Sequence, residues 1–199
     1  MAAWSYSSIN TFKQCPKKYY HLKIAKDVKD ASSFAMYYGN QVHKAAEDYI
    51  KTNTPIPTKF KFIKKTLDSL KNIQGEKHCE KRFGLAKEDG DFSPTGFFSK
   101  DVWYRGVADL LIVNGDKAYL VDYKTGKNAK YADTKQLDLM AGATFTYYPE
   151  VKTIKSALIY VVSNELKRLD AAQKNEVWNA ISGPLCAYCP VTKCEHNRR

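Results

Sequence analysis

Arg105 to Lys127 reads R-G-V-A-D-L-L-I-V-N-G-D-K-A-Y-L-V-D-Y-K-T-G-K. Two apolar runs flank Asn114-Gly115. Asn-Gly between such runs predicts a two-residue hairpin turn, because both turn positions need positive φ. With that turn Val113 faces Asp116, Asp109 lies opposite Leu120, and Val107 lies opposite Asp122. Side chains alternate faces with period two. One face of the ribbon then carries Asp109, Leu111, Ala118, Leu120, Asp122 and Lys124. Two carboxylates and an ammonium converge on one side.

Their neighbours make this costly. Leu110 to Val113 and Leu120-Val121 are continuous apolar runs, the pattern of strands buried on both faces. Charges there are disfavoured unless paired or metal-bound, and two carboxylates alone repel and raise one pKa. A divalent cation removes the repulsion, and carboxylate oxygens suit Mg²⁺ or Mn²⁺. An ordinary hairpin with its acids at solvated strand ends is the alternative that the hairpin alone leaves open.

The 199 residues fit one domain with a core at about 30–165 and terminal segments at 1–25 and 166–199. With 44% hydrophobic and 13% aromatic residues, the chain can bury a core. No apolar run reaches the length of a bilayer span. The start, MAAWSYSS, lacks a basic and apolar leader, so a cytoplasmic protein is expected. Five cysteines then favour thiols or metal ligands over disulfides. The net charge of +11 favours polyanionic partners, against the alternative of simple solubility.

Ser5 or Ser7 can cap a short helix bearing Ile9 and Phe12, which Pro16 breaks or restarts. Tyr37 to Lys51 is an amphipathic helix, with Val42, Ala45, Ala46, Tyr49 and Ile50 at helical spacing. His43 and Glu47 are neighbours on its surface, and Glu47 can orient the imidazole or simply be solvated. Phe60, Ile63, Leu67 and Leu70 mark a second helix, whose other face carries Lys61, Lys64, Lys65 and Lys71. A solvated charged face is the preferred reading of those lysines. His78 to Leu85 and Phe97 to Val113 read as antiparallel strands, with a loop or hairpin end at Gly84 to Gly96. A helix from about Thr134 to Tyr148 stops at Pro149 and carries Gln136 in its first turn. Ile154 to Val162 is a buried strand, and Leu169 to Ile181 reads as a helix. This order gives an α/β or α+β core, a mixed sheet flanked by helices.

The chain ends with Cys186-x-x-Cys189-x4-Cys194, a metal-ligand spacing. Three thiolates leave a metal one ligand short, and Cys15 can supply the fourth; His196 could substitute for one ligand. Cys79 stands outside the pattern and reads as a buried thiol.

Several of these stretches share a resemblance. Gly106-x-x-Asp109 followed by Asp122-Tyr123-Lys124-Thr125-Gly126 resembles the D…(D/E)-x-K core of the PD-(D/E)XK nuclease superfamily. It is similar to the RecB-type branch, which includes the CRISPR adaptation exonucleases and many phage exonucleases. Ser5-x-Ser7-x-Ile9-x-x-Phe12-x-x-Cys15-Pro16-x-x-Tyr19 resembles the N-terminal motif of that branch. Gly39-x-x-x-His43 resembles its G-x-x-x-H motif. Gln136-Leu137 resembles its Q-x-x-x-Y-type motif, with Met140 where a Tyr is common.

The resemblance implies a restriction-endonuclease-like core and a metal-dependent deoxyribonuclease, an exonuclease of phage or CRISPR-related DNA processing. It implies that His43, Asp109, Asp122 and the Tyr123 carbonyl hold Mg²⁺ or Mn²⁺, that Lys124 acts on the attacking water, and that Gln136 serves the site. An acidic residue on the early strand, here Glu80, is expected to approach it. Cys15, Cys186, Cys189 and Cys194 are expected to hold a [4Fe–4S] cluster that staples the chain ends, with zinc as the competitor. DNA is the expected partner, and a helicase, recombinase or CRISPR adaptation protein would be a separate chain. The alternatives are a fold that has lost catalysis and binds DNA or a partner, and a metal-cluster protein whose acids are structural.

Overall fold

Among the described residues six strands form one sheet, in the order β2-β1-β3-β4-β5-β6. They are β1 (Glu76–Glu88), β2 (Asp91–Thr95), β3 (Val102–Asn114), β4 (Lys117–Lys124), β5 (Thr153–Tyr160) and β6 (Glu165–Ala172). β4 and β5 are parallel and every other pair is antiparallel, so the sheet is mixed. The computed structural model describes residues 3–29, 34–126, 133–163 and 165–172.

Helices cover both faces. On one lie α3 (Phe34–Thr52), a 3₁₀ turn at Thr58–Ile63 and α4 (Lys64–Lys71). Val42, Ala46 and Ile50, at helical spacing on α3, pack with Phe60, Ile63 and Leu67 over Leu110, Ile112 and Val121. On the other face α5 (Lys135–Tyr147) lays Leu137, Met140 and Ala141 over Leu111, Leu120 and Leu158. Leu110 to Ile112 are fully buried, as a strand sandwiched between two helical layers must be. Two lysines of α4 have partners within the protein: Lys64 pairs with Asp68 at 2.7 Å, and Lys71 lies over the Tyr49 ring.

The N-terminal segment is α1 (Tyr6–Gln14), then α2 (Pro16–Tyr19), then a π-helical turn at Tyr20–Ala25. Ser5 caps α1 in a capping box with Ser8, and Pro16 takes the first position of α2, where its missing N–H costs nothing. Trp4 bridges to β3: its amide donates to the Trp103 carbonyl at 2.7 Å, and its own carbonyl accepts from Arg105 at 2.8 Å. α1 is thereby tied to the middle of the sheet.

Three expectations are corrected. The tight turn lies one residue later, with Asn114 paired to Lys117 and Gly115-Asp116 between them. Only Gly115 has positive φ (57°), which fits a type II′ turn with glycine first. The Asp116 carbonyl accepts from Lys152 and Thr153 at 2.7 and 3.1 Å, so the turn also seats the start of β5. Second, the hairpin end expected within Gly84 to Gly96 is there, joining β1 to β2 at Asp89 and Gly90, both at positive φ, but the strand expected from Phe97 starts only at Val102. Phe97 and Phe98 lie in the connection before β3 rather than in a strand. Third, Leu169 to Ala172 belongs to strand β6, paired along all of β5, where a helix was expected. The remainder of that expected helix lies outside the described residues.

Candidate active site

The shifted turn has a consequence for the acids. The β3–β4 ladder runs from Asn114–Lys117 to Leu110–Val121. One step further, in the same register, Asp109 stands opposite Asp122. The ladder stops there, and the Tyr123 amide donates to Asp109 Oδ2 at 2.7 Å. The two residues are therefore directly opposite in register, where the Asp109–Leu120 pairing read from the Asn-Gly turn would have set them two residues apart.

Simple alternation also fails at this point. Ala108 packs in the core under α5, yet Leu110 packs in the core under α3. On β1, Lys81 lies over the Tyr147 and Tyr148 rings of the α5 side, whereas Cys79 packs on the α3 side. Residues two apart share a face in a regular strand, so both strands change face at Glu80 and Asp109. Those two residues are a missing step in the β1–β3 ladder, which keeps its register on either side of them and shifts only further on, between Leu85 and Ala86. Glu80 carries the distortion, with φ of 52°. Left-handed backbone at a non-glycine residue costs on the order of 1–3 kcal/mol and gathers at functional sites. The distortion turns both carboxylates toward α3.

His43 meets them there. Its Nδ1 lies 3.2 Å from Asp109 Oδ1, and its Nε2 lies 2.9 Å from the Tyr123 carbonyl. Ligand atoms of His43, Glu80 and Asp109 all fall within 4.8 Å of one another. Gly106, at the head of the G-x-x-D segment, gives Tyr104 room: a Cβ there would meet the Tyr104 hydroxyl at 2.8 Å. Glu47 pairs with Lys44 and Lys51 rather than with His43.

Asp122 belongs to a second, adjoining group. It is 4% exposed. Its Oδ1 accepts from Gln136 Nε2 at 2.5 Å, and its Oδ2 pairs with Lys124 Nζ at 2.7 Å. Lys124 Nζ in turn donates to Gln136 Oε1 at 2.9 Å, closing a triangle. Gln136 reaches it from the first turn of α5. Met140, one turn on, is a buried core residue.

The electrostatics reflect crowded acids. Burial, then the Asp109 charge, pushes the Asp122 carboxyl up against the pull of Lys124. Burial, then Asp109, also raises Glu80. Burial pulls the His43 imidazole down, but Asp109, Asp122 and the Tyr123 carbonyl together hold it above its usual value. Two carboxylates, one imidazole and the Tyr123 carbonyl are oxygen and nitrogen donors, a set that fits a divalent cation such as Mg²⁺ or Mn²⁺.

The sequence matches the PD-(D/E)XK nuclease superfamily over residues 3–149. The chain belongs to the PD-(D/E)XK nuclease superfamily. The mixed sheet between helical layers is the restriction-endonuclease-like fold expected of it. Membership implies a nuclease that uses divalent metal, with DNA as its substrate. No curated protein matches the chain. A solved structure titled "Crystal structure of SSO0001" aligns over 85% of this chain and 77% of its own, at 10% identity and a TM-score of 0.34. Among the described residues, no helix is long and apolar enough to cross a membrane.

His43, Asp109, Asp122, Tyr123, Lys124 and Gln136 thus gather at one place. Glu80 is closer to the centre than its expected approach suggested, since its carboxylate joins His43 and Asp109. Cys15 is exposed, with its Sγ accepting from the Lys18 amide at 3.4 Å at the start of α2. Cys186, Cys189, Cys194 and His196 lie outside the described residues. Cys79 is half-buried, and burial raises its thiol pKa.

Proposed function

We propose that the protein is a Mg²⁺- or Mn²⁺-dependent deoxyribonuclease, an exonuclease of phage or CRISPR-related DNA processing. The observation that carries the reading is the break in the sheet at Glu80 and Asp109, which brings two carboxylates to His43 beside the Asp122–Lys124–Gln136 triangle. His43, Glu80 and Asp109 would hold the metal, with Asp122 and the Tyr123 carbonyl at its border. A cation held there supplies a Lewis acid for the scissile phosphate and lowers the pKa of a bound water.

The chain's own groups do the rest. Lys124 stands 2.7 Å from Asp122, so its ammonium can offset phosphate charge and orient the attacking water. Gln136 holds Lys124 through its carbonyl and Asp122 through its amide, fixing both relative to the sheet. Asp109 accepts from the Tyr123 amide and locks the end of β4. Burial excludes bulk water from Asp122, which strengthens every charge interaction around it.

The test is digestion of end-labelled single- and double-stranded DNA with Mn²⁺, beside an EDTA control. Metal-dependent release of labelled product is expected. DNA binding with no cleavage would instead favour an inert binding module. The reading also includes a [4Fe–4S] cluster on Cys15, Cys186, Cys189 and Cys194, supported by the spacing of the three C-terminal cysteines and the exposed Cys15 thiol. Anaerobically purified protein would then be brown; colourless protein with stoichiometric zinc would replace the cluster by a zinc site.

A further inference from the structure

Beside Lys124 and Gln136 opens a cleft of about 670 Å³, within the size range of roughly 300–1,000 Å³ typical of ligand sites. It extends along β3 past Gly106 to Arg105 and Phe97. Its opposite wall is the polar side of α1, including Asn10, Thr11 and Gln14. The catalytic chemistry uses none of these wall residues.

At its far end Phe97 and Arg105 line the cleft, and Phe98 and Arg82 adjoin them outside it. Phe97 and Phe98 meet edge to face, 5.0 Å apart at 84°. The Arg105 guanidinium lies 5.6 Å from both rings, and that of Arg82 lies 5.6 and 5.9 Å from them. Phe98 is 74% exposed, so core packing does not explain it. Arg105 Nε is buried and, among the described residues, has no hydrogen-bond partner. Burying such a donor is costly, and an oxygen from outside the chain would satisfy it. The walls are fixed relative to each other, because the Arg105 amide donates to the Trp4 carbonyl and Ser5 then caps α1.

We propose that this cleft is the track for a single nucleic-acid strand leading to the metal site, with an unpaired base stacked on Phe98 and a backbone oxygen at Arg105. An exposed ring flanked by arginines is the chemistry of base stacking, which tolerates any sequence because every base has a π-face. Bases inside a duplex are already stacked on one another and offer Phe98 no free face. The hydroxyl and amide groups of α1 line the route from Phe97, which Phe98 abuts, to Lys124. The inference rests on the nuclease reading above and adds strand preference to it.

The test is fluorescence anisotropy of a labelled oligo-dT and of a blunt hairpin duplex, in EDTA, with wild-type, Phe98→Ala and Phe98→Trp proteins. Base–aromatic stacking predicts that Phe98→Ala weakens oligo-dT binding by about 5- to 150-fold. Phe98→Trp should bind as wild type does, and duplex affinity should stay within about twofold across the set. Wild type that binds the duplex as tightly as oligo-dT overturns the proposal. So does Phe98→Ala that keeps its oligo-dT affinity, or that loses duplex affinity by the same factor. Since EDTA prevents cleavage, this result is independent of whether wild type digests DNA with Mn²⁺: absent cleavage sinks the nuclease reading while the binding result stands.

Discussion

His43 presents both ring nitrogens to oxygen, one at Asp109 and one at the Tyr123 carbonyl. With Asp109 ionised, both contacts are satisfied when both nitrogens carry protons, and the imidazolium so formed offsets the acids. A metal ligand must give up one of those protons. His43→Ala is therefore expected to lower metal affinity more than stability, and cleavage should partly return at high Mn²⁺; an unfolded variant that excess metal does not rescue would make His43 a core residue. The same crowding has a pH signature. Glu80 and Asp122 bind protons more readily folded than unfolded, so metal-free stability falls as pH rises from their ordinary carboxylate values through their raised ones. His43 acts in the same sense: its contribution is complete below its unfolded pKa and is lost as pH rises through its raised folded value. Metal binding needs the deprotonated groups. Calorimetric melting should thus show a Mn²⁺-induced rise in Tm that is larger at pH 8 than at pH 5, and equal rises at both would contradict the site. The residue identities were legible in the sequence, because Asp, Asp and Lys interrupt apolar runs. The pairing of Asp122 with Gln136 was not, since it depends on how α5 lies across the sheet.

At the scale of the element, the hairpin and its buried character were readable from Leu110 to Val121, but its register was not. Asn114-Gly115 gives a strong turn signal. The competing influence is β5, whose start takes the Asp116 carbonyl and favours a turn at Gly115-Asp116. Nor did period-two alternation reveal that β1 and β3 change face, because that change depends on one left-handed residue, Glu80. Glu80→Gly separates the two roles of the position. Glycine adopts that φ freely, so urea unfolding should show stability unchanged or raised by about 1 kcal/mol, while metal affinity and cleavage fall. A loss of stability with intact cleavage would mean that Glu80 serves packing alone. Leu137 tests the support beneath Gln136. It is fully buried on the sheet-facing side of α5, and Leu137→Ala should cost about 2–5 kcal/mol in urea unfolding. Cleavage should drop further than the lost folded fraction explains, because Gln136 adjoins the cavity. The stretch from Leu169 misled for a physical reason: its charges and leucines suit a helix, but β5 has an edge that β6 pairs along its whole length, and polar residues suit an edge strand.

For the whole molecule, composition indicated a partner class but not a path. The charge of +11 suits a polyanion, yet several lysines are taken up internally, as Lys64 and Lys71 are on α4. Nucleic-acid affinity should still fall steeply with salt, since released counterions drive such binding; about 6–10 phosphate contacts would lose ~10³-fold or more between roughly 50 and 200 mM salt. Affinity that is flat across that range, measured by anisotropy in EDTA, would rule out backbone charge as its main source. The two helical layers meet the sheet at the point where its ladders fail, so the candidate metal ligands from α3, β1 and β3 lie beside the Lys124–Gln136 pair from β4 and α5. Asp109 joins the two groups, touching His43 and the Tyr123 amide while its charge raises Asp122. The most direct measurement is therefore Mn²⁺-dependent digestion of end-labelled DNA by Asp109→Ala beside wild type, with oligonucleotide binding measured on the same samples. The account predicts that the variant binds DNA and releases no labelled product; a folded Asp109→Ala protein that cleaves at the wild-type rate would contradict it.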